Sequence, residues 1–413
     1  MDTNVIHHIA EEYGTPLYLY DGEKIRRQYH CLMKSLPKKF EIFYSMKANP
    51  LLGICQMFKK LGSHIEVASA GELYTALAAG FASGDIIFTS PGKSYEELKY
   101  AIDSDIYSIN IECIEEAKII HEIAKGKQKT IDICLRINPD FELSDASIKM
   151  TGVSSQFGIP QADMQEAFGI LQSLSNLNIM GIHVYLGTQV LSADAIVTGM
   201  EATVKMALQL SRDYQFSLAF LDMGGGFGVP YFPKESPLNM ARFKEGLAQC
   251  WNRYGADLSQ ARIAVESGRF LMAEAGLYLT SVLYQKQCKG SQYVICDGGS
   301  NQHAASAFLG RRIRNNFPMS ILGKESDPKN EAIVVGPLCT PTDVIGQKVL
   351  LAAPVPGDIL VIQKSGAYGL THSPSMFLSH QLPAEVLYDQ GRTYILRERG
   401  ERKDFLKRQK SLF

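Results

Sequence analysis

The stretch Phe40-Glu41-Ile42-Phe43-Tyr44-Ser45-Met46-Lys47-Ala48-Asn49-Pro50 decides how the fold of this chain is interpreted. The apolar residues Phe40–Tyr44 predict a buried strand, Pro50 ends it, and a helical pattern begins at Leu51. Lys47 then stands where a first barrel strand would end, and such strand ends carry the functional groups of barrel enzymes. A single lysine at this position is more often a solvated strand end, so its meaning depends on the rest of the chain.

Buried apolar runs alternate with helical patterns through the first two thirds of the sequence. Two helices have capping-box starts, Ser69-Ala70-Gly71-Glu72 and Ser94-Tyr95-Glu96-Glu97. Such alternation predicts parallel βαβ units, and eight of them predict a closed (β/α)8 TIM barrel of the α/β class. The predicted strands are Phe40–Met46, His64–Ala68, Asp85–Thr89, Tyr107–Ile111, Thr130–Ile137, Ile179–Leu186, Leu218–Met223 and Arg262–Val265.

The pattern changes near Gly276, after which apolar and polar residues alternate between turn signals. This period of two predicts a second, mostly antiparallel β-barrel or sandwich domain. Asp389-Gln390-Gly391 is a predicted hairpin turn. We therefore expect an N-terminal segment (1–34) that packs on the β-domain, a barrel (35–275) and a C-terminal β-domain (276–413).

Composition narrows the class of protein. The 413 residues are 46% hydrophobic and carry a net charge of −1, so no overall field favours nucleic acid or a membrane surface. The eight cysteines are scattered and show no zinc-site spacing. No signal peptide or apolar run long enough to span a bilayer is visible. We expect a soluble, cytoplasmic protein.

A glycine-rich segment, Asp222-Met223-Gly224-Gly225-Gly226-Phe227-Gly228, follows the seventh predicted strand. Glycines let backbone amides approach a phosphate closely, because no Cβ intervenes. Phosphate sites of TIM barrels often lie near strands seven and eight. A flexible turn is the alternative, and the position of the segment favours the phosphate site.

Glu266-Ser267-Gly268-Arg269 follows the eighth predicted strand. A carboxylate facing the ring nitrogen of pyridoxal phosphate would keep that nitrogen protonated and make the ring an electron sink. Arg269 can form paired hydrogen bonds with phosphate or a substrate carboxylate. With Lys47 available for a Schiff base, these residues favour pyridoxal phosphate over a surface ion pair.

His183-Val184-Tyr185-Leu186-Gly187-Thr188-Gln189 follows the sixth predicted strand. Alternation along a strand would place His183 and Tyr185 on the face towards the barrel axis. Tyr185 is a candidate to stack on the cofactor ring, and Thr188 a candidate to reach an oxygen of the cofactor. A histidine packed in the core is an equally good interpretation of His183.

Two segments of the second domain complete the set. In Gly336-Pro337-Leu338-Cys339-Thr340-Pro341-Thr342-Asp343, prolines flank a cysteine that is thereby displayed on a rigid loop and can donate a proton. In Gly366-Ala367-Tyr368-Gly369, the tyrosine hydroxyl is a candidate phosphate ligand. A structural cysteine and an ordinary turn tyrosine are the alternatives.

In this order, these motifs resemble the fold-type III pyridoxal-phosphate decarboxylases, the family of diaminopimelate, ornithine and arginine decarboxylases. The resemblance extends from Tyr18 to about Leu396. It implies that Lys47 is the Schiff-base lysine and that Glu266 pairs with the pyridine nitrogen. It further implies a homodimer with shared active sites, in which Cys339 of the partner subunit protonates the product and Asp343 lies beside it. The phosphate would be held by Gly224–Gly226, Gly268, Arg269 and Tyr368.

Three departures from the family pattern bear on the substrate. Thr340 replaces the acidic residue that follows the donor cysteine in diaminopimelate decarboxylases. Ala305-Ser306-Ala307-Phe308-Leu309 replaces their Arg-Pro-Ala-Leu-Tyr run, and Tyr185 replaces the stacking histidine. A charged distal group would find no partner here, which costs several kcal/mol, so the distal end of the substrate is predicted to be neutral.

The chain resembles in particular the L-glutamyl-[acyl-carrier protein] decarboxylases of the butirosin type, whose substrate has its distal carboxylate capped. A small-molecule or carrier-bound amino acid is therefore the expected substrate. Arg311, Arg312 and Arg314 are then candidates to dock an acidic carrier protein, with a solvated face as the alternative. Diaminopimelate decarboxylation is the second prediction, and a non-catalytic decarboxylase-like regulator is a prediction of another class. No metal ligand set is predicted.

Overall fold

The computed structural model describes residues 1–141, 148–149, 154–307 and 315–412. The chain forms two compact units. The first, the barrel unit, comprises Gln28–Pro230 and Ser236–Phe270, and the second, the β-unit, comprises Met1–Arg27, Tyr231–Glu235 and Leu271–Phe413. The domain boundaries expected near residues 35 and 275 stay predictions.

The strands are numbered in chain order. They are β1 (Leu17–Asp21), β2 (Phe40–Ser45), β3 (His64–Val67), β4 (Ile86–Thr89), β5 (Ser108–Ile111), β6 (Ile131–Asn138), β7 (Ile148–Lys149), β8 (Ile159–Pro160), β9 (Leu177–His183), β10 (Gly187–Thr188), β11 (Phe220–Asp222), β12 (Arg262–Ser267), β13 (Gly276–Cys288), β14 (Ser291–Cys296), β15 (Met319–Ile321), β16 (Lys329–Val335), β17 (Val344–Ala352), β18 (Ile359–Ile362), β19 (Ala384–Asp389) and β20 (Arg392–Arg397).

The α-helices lie mainly between the barrel strands. They are α1 (Thr3–Tyr13), α2 (Gly22–Ser35), α3 (Leu52–Lys60), α4 (Ala70–Ala78), α5 (Tyr95–Asp103), α6 (Ile114–Gly126), α7 (Met164–Leu171), α8 (Ala193–Tyr214), α9 (Met240–Tyr254) and α10 (Arg269–Met272). In the described part of the chain, no helix has both the length and the apolar character that crossing a membrane requires.

Eight parallel strands close into a barrel in the order β2-β3-β4-β5-β6-β9-β11-β12. The last strand pairs with the first, so that Glu266 lies beside Phe43 and Ser267 beside Tyr44. All eight predicted strands are present within a few residues of their predicted ends, and the predicted TIM barrel is confirmed. The sixth strand is the main exception in length, because β9 ends at His183 instead of Leu186.

Side chains from six of the barrel strands fill the barrel interior. They form one buried cluster of Phe43, Ile87, Cys134, Met180, Phe220 and Ala264. Mixed large and small residues in one layer pack the narrow interior of an eight-stranded barrel without leaving a channel. Each large side chain of this kind contributes roughly 1.5–3 kcal/mol by leaving water. The packed layer keeps the strand ends, and the side chains they carry, in fixed positions.

The β-unit is built around a sheet in the order β17-β16-β14-β13-β1-β19-β20, and β18 pairs with β13 and β15. Most pairings are antiparallel, as predicted, but β1 runs parallel to β19 and β14 runs parallel to β16. The predicted hairpin is present between β19 and β20, with Gln390 and Gly391 at φ 49° and 78°. Positive φ at both residues is the geometry of a type I′ hairpin turn.

The two predicted capping boxes differ in the structure. At α5 the box is complete, because Ser94 Oγ accepts from the Glu97 N–H and the Glu97 carboxylate accepts from the Ser94 N–H. At α4 only half of it forms. Ser69 Oγ accepts from the Glu72 N–H, but the Glu72 carboxylate accepts from the N–H of Ala68, one residue earlier. Burial raises the pKa of Glu72 to about 7, whereas the Ser94 N–H lowers the pKa of Glu97.

We predict that Glu72→Gln reduces the pH dependence of stability. The folded chain holds the Glu72 proton more tightly than the unfolded chain does, so the free energy of unfolding falls as the pH rises from 4.5 to about 7. The variant should shrink the difference in this free energy between about pH 5 and about pH 8 by about 2 kcal/mol, measured by urea unfolding. Glu97→Gln is the matched control with the opposite sign, because its contribution is present at neutral pH and lost in acid.

Candidate active site

The barrel unit gathers polar side chains at the carboxyl ends of neighbouring strands. Lys47 lies in a 3-10 turn, Met46–Ala48, directly after β2. His183 ends β9, the glycine-rich segment follows β11, and Glu266 is the next-to-last residue of β12. Because parallel strands end at one rim of a barrel, residues more than two hundred positions apart in sequence meet there.

Lys47 is held by a carboxylate that the sequence analysis did not single out. Its Nζ donates to Oε1 and Oε2 of Glu66 at 2.7 and 2.9 Å. The Glu66 side chain is 1% exposed, whereas the Lys47 side chain is 37% exposed. The amine is thus held by a buried anion, while the lysine side chain remains partly exposed. Its Nζ also lies 5.7 Å from the centre of the Tyr185 ring.

His183 and Tyr185 do not occupy the same strand face. His183 ends β9 and is fully buried, as alternation along the strand predicts. Tyr185 lies beyond the end of the strand and is half-buried in the following loop, near Lys47. The prediction that one strand carries both residues is wrong, because the chain leaves the sheet two residues before Tyr185. Thr188 is placed by a short pairing of β10 with β7.

The glycine-rich segment follows its path because neighbouring backbone is very close. A Cβ on Gly224 would meet the carbonyl oxygen of Val184, and one on Gly225 would lie 3.0 Å from the carbonyl carbon of Glu266 and closer still to its oxygen. Gly224 and Gly226 also have φ of 61° and 90°, in the left-handed region. The glycines therefore allow this loop to pack against the ends of β9 and β12.

Gly268 has a similar role on the other side of Glu266. A Cβ there would lie 2.7 Å from Cβ of Ala48 and 2.9 Å from the carbonyl oxygen of Ser45. The end of β12 thus packs directly against the turn that carries Lys47. Arg269 begins α10 immediately afterwards and is half-buried.

Three buried ionisable groups lie side by side at the ends of β9, β11 and β12. One side-chain oxygen or nitrogen from each of His183, Asp222 and Glu266 lies within 4.8 Å of the others. Burial, followed by repulsion from Glu66 and Asp222, raises the pKa of Glu266 well above its usual value. Burial raises the pKa of Asp222 to about 7, and burial lowers the pKa of His183 well below its usual value.

Two further ion pairs are buried in the barrel unit. Arg136 Nη1 lies 2.7 Å from Glu112 Oε1, and Lys93 Nζ lies 2.6 Å from Glu116 Oε1. Lys93 also donates to two backbone carbonyl groups. Each of these cations therefore has its own anion, as buried charges require.

The remaining predicted site residues belong to the β-unit. Cys339 is exposed on the loop after β16, and the Thr340 hydroxyl lies 3.0 Å from that of Thr342. Asp343 is buried, and its two carboxylate oxygens accept from the N–H groups of Ser300 and Leu338 at 2.7 and 2.8 Å. These contacts brace the cysteine loop.

Tyr368 has a backbone conformation that is uncommon for a residue other than glycine. Its φ is 55°, in the left-handed region. The flanking glycines are needed for packing, because a Cβ on Gly369 would lie 2.7 Å from the ring of Tyr18 and one on Gly366 would meet the carbonyl oxygen of Met272. Strained conformations of this kind persist where the surroundings enforce them, and they cluster at functional sites.

Some predicted residues fall outside the described part of the chain. They are Phe308, Leu309, Arg311, Arg312 and Arg314. Glu66 and Asp222, by contrast, are described but were missed. Each had a signal, since Glu66 is a charged residue inside a predicted buried strand and Asp222 is a carboxylate at the end of another. Neither signal indicates which partner the carboxylate meets.

Comparison with known proteins identifies the family. Residues 22–273 match the family model described as pyridoxal-dependent decarboxylase, pyridoxal binding domain. The chain belongs to this family of pyridoxal-phosphate-dependent decarboxylases. It is 38% identical over 411 residues to L-glutamyl-[BtrI acyl-carrier protein] decarboxylase of Niallia circulans, and the match covers 98% of this chain and 96% of that protein. It is 30% identical to diaminopimelate decarboxylase of Campylobacter jejuni, covering 96% of each.

Solved structures agree with the fold. Diaminopimelate decarboxylase of Helicobacter pylori in complex with L-lysine matches with a TM-score of 0.88 at 27% identity, over 97% of this chain and 98% of that one. The enzyme of M. jannaschii in co-complex with L-lysine matches with a TM-score of 0.90 at 25% identity, over 98% and 94%. The resemblance to fold-type III decarboxylases is confirmed.

The side chains at the barrel rim fit pyridoxal phosphate. Oε1 of Glu266 is buried and has no hydrogen-bond partner among the described residues, which leaves an acceptor for the protonated ring nitrogen. The Lys47 side chain is partly exposed, and the aromatic ring of Tyr185 lies close to its amine. These residues would supply an amine for the aldehyde, an acceptor for the ring nitrogen and an aromatic face for the ring.

We predict that Gly225→Ala lowers the affinity for pyridoxal phosphate at least about tenfold, because the new Cβ would push the end of β12, and Glu266 with it, out of place. Equilibrium dialysis measures this affinity. Gly169→Ala in α7 is the matched control, because a Cβ there meets nothing within 4 Å, and it should leave the affinity unchanged. Equal affinity of Gly225→Ala and the original chain would show that this packing does not position the cofactor site.

Proposed function

We propose that this protein decarboxylates an L-amino acid whose distal end is capped, such as an L-glutamyl group carried on an acyl-carrier protein. The observation that carries the proposal is that two groups lie at the rim of one decarboxylase-family barrel: the partly exposed Lys47 side chain, and a buried Glu266 oxygen that has no hydrogen-bond partner among the described residues. Bound pyridoxal phosphate supplies the electron sink into which the bond between Cα and the carboxylate breaks.

The residues of the barrel unit have separable roles in this proposal. Lys47 is the residue that would bind the cofactor aldehyde, and Glu66 keeps the lysine side chain in place. Glu266 would accept the hydrogen bond of the ring nitrogen and so retain the proton there. Tyr185 and His183 would contact the ring.

The phosphate end of the cofactor is assigned to the glycine loop and its neighbours. Gly224–Gly226 and Gly268 allow close backbone approach, and Arg269 and Thr188 contribute side chains. Tyr368 is proposed as a further ligand, supported by its strained backbone. These assignments follow the family resemblance at matching positions.

A homodimer with shared active sites is part of the proposal. Cys339 is exposed on a braced loop, so its thiol is presented for a partner subunit, where it would protonate Cα of the product. Asp343 supports this role by holding the loop from inside, because its carboxylate is bonded to Ser300 and Leu338. All eight cysteines are free thiols, which is in keeping with a reducing cytoplasm.

Uncharged residues at positions where diaminopimelate decarboxylases carry partners for a charged substrate end support a capped substrate. Thr340 and the described residues Ala305, Ser306 and Ala307 bring no charge to the positions where a zwitterionic tip would need partners. The relative from Niallia circulans is named for an L-glutamyl group on an acyl-carrier protein. Another, from Staphylococcus aureus and 30% identical, is named for a substrate with an L-alanin-3-yl group in amide linkage.

Diaminopimelate decarboxylation is the second candidate, favoured by the family relatives that carry that name. Mass spectrometry for loss of carbon dioxide separates the two when free diaminopimelate, free glutamate and carrier-bound glutamate are compared. We expect turnover of carrier-bound glutamate to exceed that of either free amino acid at least about tenfold, because an unpaired buried charge costs more than about 1.4 kcal/mol. Preferred turnover of free diaminopimelate would contradict the proposal.

We predict that Lys47→Ala abolishes the absorbance of covalently bound cofactor and the decarboxylation of every substrate tested, because the chain loses the amine that binds the aldehyde. Absorption spectra of the purified protein test this. Lys205→Ala, which changes a lysine that is 57% exposed on α8, is the control and should retain both properties. A retained cofactor band in Lys47→Ala would assign the covalent link elsewhere, and a protein that never binds the cofactor would favour a non-catalytic regulator.

A further inference from the structure

Asp222 lies where three barrel strands end together. It is the last residue of β11, in register with His183 of β9 and with Ala264 of β12. Asp222 and His183 are fully buried and Glu266 is 2% exposed. The carboxyl group of Asp222 is therefore shielded from bulk water, and its hydrogen-bond partners must come from its buried surroundings.

The hydrogen bonds of Asp222 are unequal at its two oxygens. Oδ1 accepts from the N–H of Gly224 at 2.9 Å. Oδ2 has no hydrogen-bond partner among the described residues, and neither do Oε1 of Glu266 and the two ring nitrogens of His183. Nε2 of His183 lies 3.4 Å from Oε1 of Glu266 without the alignment of a hydrogen bond. Buried polar atoms without hydrogen-bond partners are rare in proteins, so we expect a proton or a ligand between these atoms.

This cluster and its described surroundings contain one more carboxyl group than the nearby cations and a protonated ring nitrogen could balance. Among the described residues, the cations whose charge acts on His183 are Lys47, Arg136 and Lys93. Each of them is paired with its own anion, Glu66, Glu112 and Glu116 respectively. A protonated ring nitrogen on the bound cofactor would balance one of the two remaining carboxylates. Two buried carboxyl groups this close do not both ionise. Burial raises the pKa of both Asp222 and Glu266, but a protonated ring nitrogen would favour the ionised form of Glu266, so Asp222 is the group that keeps a proton.

We propose that Asp222 is a positioning residue that keeps this proton and donates it from Oδ2 to Glu266, which stays ionised for the ring nitrogen. The inference rests on the role proposed for Glu266 above. Through Gly224, the same side chain ties the glycine loop to the acid that faces the ring. A donated hydrogen bond also makes the Glu266 carboxylate less basic, so the proton between it and the ring remains on the nitrogen.

Infrared spectroscopy of the full-length protein loaded with pyridoxal phosphate tests the proposal directly. A protonated, buried carboxyl group has a C=O stretch separate from that of a carboxylate. We expect such a band near neutral pH, the aspartate band, that shifts when the aspartate carboxyl carbons are labelled with carbon-13. Protonated Glu72, whose pKa is about 7, adds a separate band that shifts when the glutamate carboxyl carbons are labelled. Labelling leaves the protein unaltered, so this measurement does not depend on any variant folding.

Substitutions then assign the band to one residue. Asp222→Asn should remove the band, whereas Asp132→Asn, which changes an exposed aspartate on β6, should retain it. The side-chain amide introduced by Asp222→Asn can still accept from Gly224 and donate to Glu266, but the side chain introduced by Asp222→Leu can do neither. We expect Asp222→Leu to bind pyridoxal phosphate at least about tenfold more weakly than Asp222→Asn, measured by equilibrium dialysis.

Three results would overturn the inference. The aspartate band could be absent, it could persist in Asp222→Asn, or the purified protein could contain stoichiometric zinc that Asp222→Asn removes, which would make the three side chains metal ligands. A protein that takes up no pyridoxal phosphate would instead contradict the proposed function itself, so the two failures are distinguishable.

Discussion

The pairing of β12 with β2 is the constraint on which the site depends. It closes the barrel and brings the last strand, with Glu266, alongside the first, which leads into the turn of Lys47. Gly268 allows the closest approach, because any side chain there would collide with Ala48 and Ser45. The relative positions of the Lys47 turn and the Glu266 backbone are therefore set by backbone pairing.

Closure of the barrel also brings several charged side chains close together. Lys47, Arg136 and Lys93 each form an ion pair with a carboxylate, and this attraction offsets part of the free-energy cost of burying the charges. Asp222 and Glu266 form no such ion pair with a lysine or arginine among the described residues. The raised pKa of each group reflects the free-energy cost of burying its charged form. A chain that only needed stability would gain from apolar residues at these two positions, so the unmatched acids indicate function.

In the β-unit, too, some residues hold a loop in place while a neighbouring residue on that loop is a candidate for the chemistry. The carboxylate of Asp343 accepts hydrogen bonds from two backbone N–H groups. These bonds hold the loop on which Cys339 is exposed. The Tyr368 turn is likewise fixed by glycines that pack against Met272 and Tyr18. In both places, buried contacts hold in position a segment that carries an exposed cysteine or a half-buried tyrosine.

The sequence by itself determined the eight barrel strands, the antiparallel character of the second unit and the identity of Lys47 and Glu266 as candidate residues. It could do so because buried strands, turns and caps depend on neighbours close in the chain. Only the tertiary structure decided that Lys47 pairs with Glu66, that Tyr185 lies beyond its strand and that Asp222 faces Glu266. These relations depend on strand register around a closed barrel and on where each strand leaves the sheet, and both are set by packing between segments far apart in sequence.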